Sequence, residues 1–144
     1  MRFLIDTNIF IDYISEREGS QDSIDFLRFA IKTHKEMYIT SMSVRDIGYT
    51  IHHITHSKEK ASKAQWAVYQ MTKKIIDITA DDVINSLYGD MDDFEDSLLA
   101  ESCERNFIDV IVTNNIKDYE KSRVPAFTPK ELLRIYQNIE QKTA

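Results

Sequence analysis

Residues 1–14 read MRFLIDTNIFIDYI, and the fold turns on how that stretch divides. Arg2 to Ile5 read as the start of a buried strand. FLI, at 3–5, is continuously apolar, as parallel strands covered on both faces are. The run stops at Asp6, Thr7 and Asn8 follow, and apolar residues resume at Ile9. A carboxylate at the end of a core strand has two readings. Asp, Thr and Asn are all good helix N-caps, so Asp6 can cap a helix over residues 8–15. Ligands also bind at the carboxyl ends of the strands of an open parallel sheet, so Asp6 can point into such a crevice.

The second reading requires a parallel sheet. Further short apolar runs occur at MYI (37–39), IIDI (75–78), VIVT (110–113) and VPAF (124–127). Between them lie stripes at helical spacing: Ile24, Leu27 and Ile31; Val44, Ile47, Ile51 and Ile54; Ala61, Ala64, Val68 and Met71. Thr128-Pro129-Lys130-Glu131 is a capping box with proline at the first helical position, and Leu132, Tyr136 and Ile139 follow on one face. The alternation predicts one three-layer α/β domain over residues 1–144. Its central sheet is expected to be mostly parallel, with about five strands.

Composition narrows the class. With three glycines and two prolines in 144 residues, a turn-rich all-β fold is disfavoured. Cys103 is alone, so no intrachain disulfide can form, and a reducing compartment such as the cytoplasm is expected. Asp6 and Asp12 interrupt the apolar N-terminus, so no secretory leader is expected. No apolar run approaches the ~20 residues of a membrane span. The net charge of −6 argues mildly against nonspecific nucleic-acid binding, but it does not exclude an enzyme that reaches phosphates through bound cations.

Acids gather at other element ends. In GDMDDFEDSLLAESCERNF (89–107), Asp90, Asp92, Asp93, Glu95 and Asp96 crowd a helix start, where the dipole favours them. Asp96 differs from its neighbours. Leu99, Ala100, Cys103 and Phe107 form an apolar stripe from it, which puts Asp96 at the head of a buried face. An inward carboxylate must be paired or bind a metal. Asp93, one turn earlier, can share that face. In DVIVTNNIKDYEKS (109–122), Thr113, Asn114 and Asn115 end a strand and Asp118 follows; Asn-Asn also makes a good turn, and Asp118 could pair with Lys121. After the second strand comes TSMSVRDIGYTI. There Asp46 sits beside the Val44-Ile47-Ile51 stripe, as a dipole-favoured surface acid would.

Asp6, Asp46, Asp96 and the Asn115/Asp118 pair therefore come from separate segments that this topology can bring together. Clustered carboxylates repel one another unless a cation is present. An all-oxygen donor set favours Mg²⁺ or Mn²⁺ over Zn²⁺. One ion can activate water for in-line phosphodiester displacement, and a second can steady the leaving oxygen.

At these residues the sequence resembles a PIN domain, specifically a small VapC-type toxin ribonuclease. The resemblance rests on FLIDTNIFIDYI, SMSVRDIGY, DDFEDSLLAESCERNFIDVIVTNNIKDY and VPAFTPKELL, in that order. It implies the parallel-sheet fold and a Mg²⁺ or Mn²⁺ site of three or four acids. Asp6 is then the first acid and Asp96 the third, and Thr113 is the small hydroxyl that orients a ligand or water. Asp46 stands where the family usually has Glu. Asn115 stands where many members have a fourth Asp, and Asp118 matches the acid just beyond. The resemblance also implies an RNA substrate, an antitoxin partner that threads into the cleft, and often a homodimer.

Other residues invite weaker readings. Arg45, Lys58, Lys60 and Lys63 could hold RNA phosphates or form a solvated helical face. His52 and His56 are one turn apart but lack a third soft ligand. Trp66, Tyr69 and Tyr49 could stack unpaired bases or pack in a core or dimer. Cys103 reads as a packing residue, and Asp12, Tyr13 and Glu16 as the outer face of a short helix. Two functions compete: a metal-dependent endoribonuclease, and a nonenzymatic RNA- or protein-binding module whose metal site Asp46 and Asn115 weaken. A phosphatase using Asp6 as nucleophile would need a second Asp where Asn8 stands.

Overall fold

The computed structural model describes residues 1–143; the expected domain runs one residue further, to a position outside the described residues. Five strands form the sheet: β1 (Arg2–Ile5), β2 (Glu36–Thr40), β3 (Lys74–Ile76), β4 (Val110–Val112) and β5 (Ala126–Phe127). The helices are α1 (Thr7–Ser15), α2 (Gln21–Lys32), α3 (Ser41–Thr55), α4 (Lys58–Met71), α5 (Ala80–Tyr88), α6 (Phe94–Arg105) and α7 (Pro129–Thr143). The strand order is β3-β2-β1-β4-β5, and every neighbouring pair is parallel.

The apolar runs sort by the period-2 geometry of a strand. Phe3, Ile5, Met37, Ile39, Val110 and Val112 face one core, built with α1, α2, α3, α4 and α7. Leu4, Tyr38, Ile76 and Ile111 face the other, against Leu99, Ala100 and Cys103 of α6. β1 is paired on both edges and its Phe3, Leu4 and Ile5 are fully buried, as a central strand requires. Both layers are therefore occupied, and the sheet is all-parallel.

Several boundaries differ from the sequence reading. The third strand ends at Ile76, before Asp77 and Ile78, and the fifth keeps only Ala126–Phe127. The helix expected between the last two strands is a 3-10 helix, Ile116–Tyr119, because the connection is too short for more. Ile54 and Ile139 extend their helical stripes in sequence but lie exposed. The last helix starts at the expected box. The Glu131 N–H donates to Thr128 Oγ1 at 3.2 Å, and that hydroxyl donates to Glu131 Oε1 at 3.0 Å.

Strand order places the crevice. From β1 the chain crosses to β2 on one side, while β4 lies on the other, so the carboxyl ends of β1 and β4 flank the switch point. Asp6 leaves the first and Thr113 the second, and the Asp6 N–H donates to the Val112 carbonyl at 3.0 Å.

Candidate active site at the carboxyl edge of the sheet

Asp6 makes contacts on both sides of its carboxylate. It is the N-cap of α1, with Oδ1 accepting from the Thr7 N–H at 2.8 Å. Its Oδ2 accepts from Thr113 Oγ1 at 2.8 Å, across the switch point. Thr113 is fully buried, and its hydroxyl in turn accepts from the Asn115 N–H at 3.1 Å. Burial pushes the Asp6 carboxyl up. The bonds from Thr113 and Thr7 pull it back, and the charge of Asp118 adds to the rise.

Asp96 lies in the first turn of α6, where its N–H donates to the N-cap, Asp93 Oδ1, at 2.9 Å. Its own Oδ1 accepts from the Tyr119 hydroxyl at 3.2 Å. Its carboxyl is pushed up to about 6, by burial first and then by the charge of Asp93, with Asp6 and Asp118 adding to the rise against the Tyr119 bond. The charges of Asp6 and Asp118 thus both act on Asp96, and that of Asp118 acts on Asp6. The stripe below Asp96 holds at Leu99, Ala100 and Cys103 but fails at Phe107, which is 79% exposed. The helix stops at Arg105, and Phe107 takes a left-handed backbone (φ 57°) that turns its ring outward.

Asn115 and Asp118 sit on the exposed loop and 3-10 helix after β4, joined by the Asp118 N–H donating to the Asn115 carbonyl at 3.1 Å. Lys121 pairs with Asp92 at 3.3 Å rather than with Asp118. Asp46 stands apart. Its carboxylate meets Arg45 at 3.1 Å, and it is not among the charges acting on Asp6 or Asp96. It is nonetheless three residues along α3 from Ser43, whose hydroxyl accepts from Thr7 Oγ1 at 2.8 Å and from Thr40 Oγ1 at 3.0 Å. That hydroxyl chain ties the start of α3 to the start of α1.

Among the described residues, no three His, Cys, Asp or Glu side chains form a group that could hold a metal ion. A full protein cage is thus not built. A Mg²⁺-like ion does not need one: it keeps several waters and takes one or two carboxylates. Asp6 and Asp96, two mutually repelling carboxylates in an oxygen-only crevice, fit that requirement.

The basic residues do not gather at the acids. Arg45 is engaged by Asp46, and Lys63 by Glu59 at 3.1 Å. Lys58 and Lys60 begin α4, beyond the far end of α3, roughly 18 Å along that helix from Ser43. His56 is the left-handed C-cap of α3, and His53 stacks on Tyr49. Tyr49, Trp66 and Tyr69 are all exposed, with Trp66 and Tyr69 edge to face at 5.8 Å.

Two residues of the crevice were not visible as such in the sequence. Tyr119 reads as one more apolar position, yet its buried hydroxyl holds Asp96. Asp12 was expected on an outer helix face, but it is buried together with Ile9, Phe10 and Ile11, because α1 is enclosed nearly all round. Its carboxylate accepts from Arg17 Nε, from Ser23 Oγ at 2.8 Å and from Asn114 Nδ2 at 3.1 Å. The signal was Asn114, which stands between two candidate site residues.

Sheet, crevice and acids together define a small three-layer α/β domain with an acidic carboxyl edge. The PIN domain model matches residues 2–117, and the chain belongs to the PIN domain family. Its fold is similar to solved VapBC structures. A chain of VapBC2 from Rickettsia felis, bound to a promoter DNA fragment, is 19% identical with a TM-score of 0.67, over 89% of this chain and 98% of that one. A chain of the DNA-bound VapBC from Salmonella typhimurium is 16% identical with a TM-score of 0.65, over 90% and 98%. A chain of a toxin-antitoxin complex from Klebsiella pneumoniae is 19% identical with a TM-score of 0.63, over 88% and 96%. At these identities the likeness is one of fold. No curated protein matches the sequence.

Proposed function

We propose that this chain is a metal-dependent endoribonuclease, the toxin of a bacterial type II toxin–antitoxin pair, working in the cytoplasm. The observation that carries the reading is the pair Asp6 and Asp96, which come from different elements, with the Tyr119 hydroxyl on Asp96 and the charge of Asp6 helping to raise the Asp96 carboxyl. Asp6 and Asp96 would hold a Mg²⁺ or Mn²⁺ ion, with oxygens of Asn115 and Asp118 at the rim and Asp46 reaching it through water. When bound, the ion supplies positive charge that offsets the phosphodiester and makes water a better nucleophile.

The chain's own residues prepare that site. Thr113 and the Thr7 N–H fix both oxygens of Asp6. Tyr119 fixes one oxygen of Asp96 and leaves the other free. A scissile phosphate approaches from the open side, past the exposed Asn115 and Asp118. Arg45 could meet a neighbouring phosphate once it leaves Asp46. The likeness to VapBC and toxin-antitoxin complexes supports an antitoxin partner, whose Arg or Lys could occupy the acidic crevice. A second copy of the chain is a further partner, and the exposed aromatics on α3 and α4 are available to it.

A nonenzymatic RNA- or protein-binding role has one observation in its favour: among the described residues, no three-ligand metal cluster is preformed. Metal titration with an RNA-cleavage assay separates the two. The nuclease should cut RNA with Mn²⁺ or Mg²⁺ and lose cutting in Asp6→Asn. Wild-type protein inactive on every RNA with either metal, while still binding RNA, moves the assignment to the binding module.

A further inference from the structure

We propose that Asp12 is a positioning residue for the acidic crevice, acting through Asn114 on the strand end that carries Thr113 and Asn115. The inference rests on the reading of Asp6 as a site acid, but its decisive readout does not depend on cleavage.

Asp12 is 5% exposed, and its three donors come from three places: the turn after α1, helix α2 and the loop after β4. Arg17 and Ser23 suffice to neutralise and solvate a buried carboxylate, so the third bond is not needed for that purpose. It comes from the residue between Thr113, which donates to Asp6, and Asn115, whose N–H donates to Thr113. Asn114 itself is exposed, and without this bond its side chain would have no reason to turn inward. With it, the loop is anchored to α1, the same helix that Asp6 caps. On one side of the anchor the Thr113 hydroxyl donates to Asp6; on the other the Asn115 N–H returns to that hydroxyl. Because the Asn115 N–H occupies an acceptor site of Thr113, the hydroxyl proton is directed at the carboxylate. Helix α1 therefore grips the loop near both of its ends, through Asp6 and through Asp12. Loosening the Asp12 end leaves Thr113 free to turn away from Asp6.

The test exchanges donor and acceptor. Asn114→Asp sets two carboxylates against each other at an exposed position where folding is not at risk. Asp12→Asn combined with Asn114→Asp restores a bond of reversed polarity: the amide nitrogen takes the place of Oδ2 and donates, the amide oxygen takes the place of Oδ1 and still accepts from Arg17 Nε, and the Ser23 hydroxyl, which shared Oδ2, can turn to accept. Hydrogen exchange of the Asn115 amide, followed by NMR in the full chain, should quicken about tenfold in Asn114→Asp, as expected for one lost hydrogen bond. It should return to near the wild-type rate in the double variant. Mn²⁺ binding, read by titration, should weaken on the order of tenfold and recover in parallel, the low end for partners that orient a ligand. Unchanged exchange in Asn114→Asp, or no recovery in the exchanged pair, overturns the inference. If wild-type protein binds no Mn²⁺ and cuts no RNA, yet the amide follows the exchange, the latch stands and the nuclease reading falls.

Discussion

Replacing Asp96 by Asn should stabilise the metal-free protein at neutral pH. Burial and neighbouring acids lift the Asp96 carboxyl from its usual 3.8 to about 6. In the unfolded chain it titrates near 3.8, so between those values the folded state holds the extra proton. Stability from this group is complete below the unfolded value and declines as pH rises through about 6. At full strength the displacement corresponds to about 3 kcal/mol. The side chain is partly open to water, and screening reduces this to about 1–2 kcal/mol. Asparagine carries no charge, and its carbonyl can still accept from Tyr119. The variant should therefore melt about 3–6 °C above wild type at pH 7.5 in chelator, with the gap closing toward pH 4. Circular dichroism melts across that range measure it, and comparing variant with wild type cancels the titration of other acids. Saturating Mn²⁺ should then raise the wild-type melt and leave the variant where it was. A variant less stable than wild type at pH 7.5, or a gap independent of pH, refutes the reasoning, because the acid would not then be held against its own charge.

Three further outcomes follow from neighbouring contacts. Asn115→Asp should lower the Mn²⁺ concentration for half-maximal RNA cleavage; a large loss of rate in Asp118→Asn would instead identify Asp118 as the fourth donor. Thr113→Val keeps the shape but strips a partner from Asp6 Oδ2 and from the Asn115 N–H, and it should cost about 1–3 kcal/mol in urea denaturation while weakening Mn²⁺ binding. At the far end of α6 from Asp96, burial pushes the Asp82 carboxyl up, but bonds from Arg105 at 2.9 and 3.1 Å and from Thr79 hold it below its usual value. Arg105→Ala should cost about 3–5 kcal/mol by equilibrium unfolding at pH 7, and less as acid neutralises Asp82; a loss near zero would mean water replaces the guanidinium.

What the sequence disclosed follows from which interactions are local. Apolar runs and the Thr128 box depend on neighbouring residues, so the succession of strands and helices, the layers and the last helix could be read directly, whereas the order of strands in the sheet could not. The place of Asp6 also followed, because a carboxylate closing a doubly covered strand has few positions open to it. Asp12 was misplaced because α1 is buried on almost every side, so periodicity carries no information there, and its partner Asn114 is 102 residues away. Tyr119 was missed for the same reason: its hydroxyl meets an acid 23 residues earlier. Phe107 misled because a stripe was extended past a helix end that its own left-handed turn creates. Asp46 pairs with the adjacent Arg45, a contact that helical spacing does not foretell.

The pairing of β1 with β4 has a consequence for how the protein is made. Asp6 emerges early from the ribosome, whereas Thr113, its partner across the sheet, is added 107 residues later. At about 5–20 residues per second that interval is about 5–20 s. Until then the central strand has only one neighbour, and the first carboxylate has no opposite wall. A nascent chain therefore carries half a crevice. On the nuclease reading proposed above, cutting would begin only once β4 has joined the sheet, late enough for a partner translated alongside to be waiting.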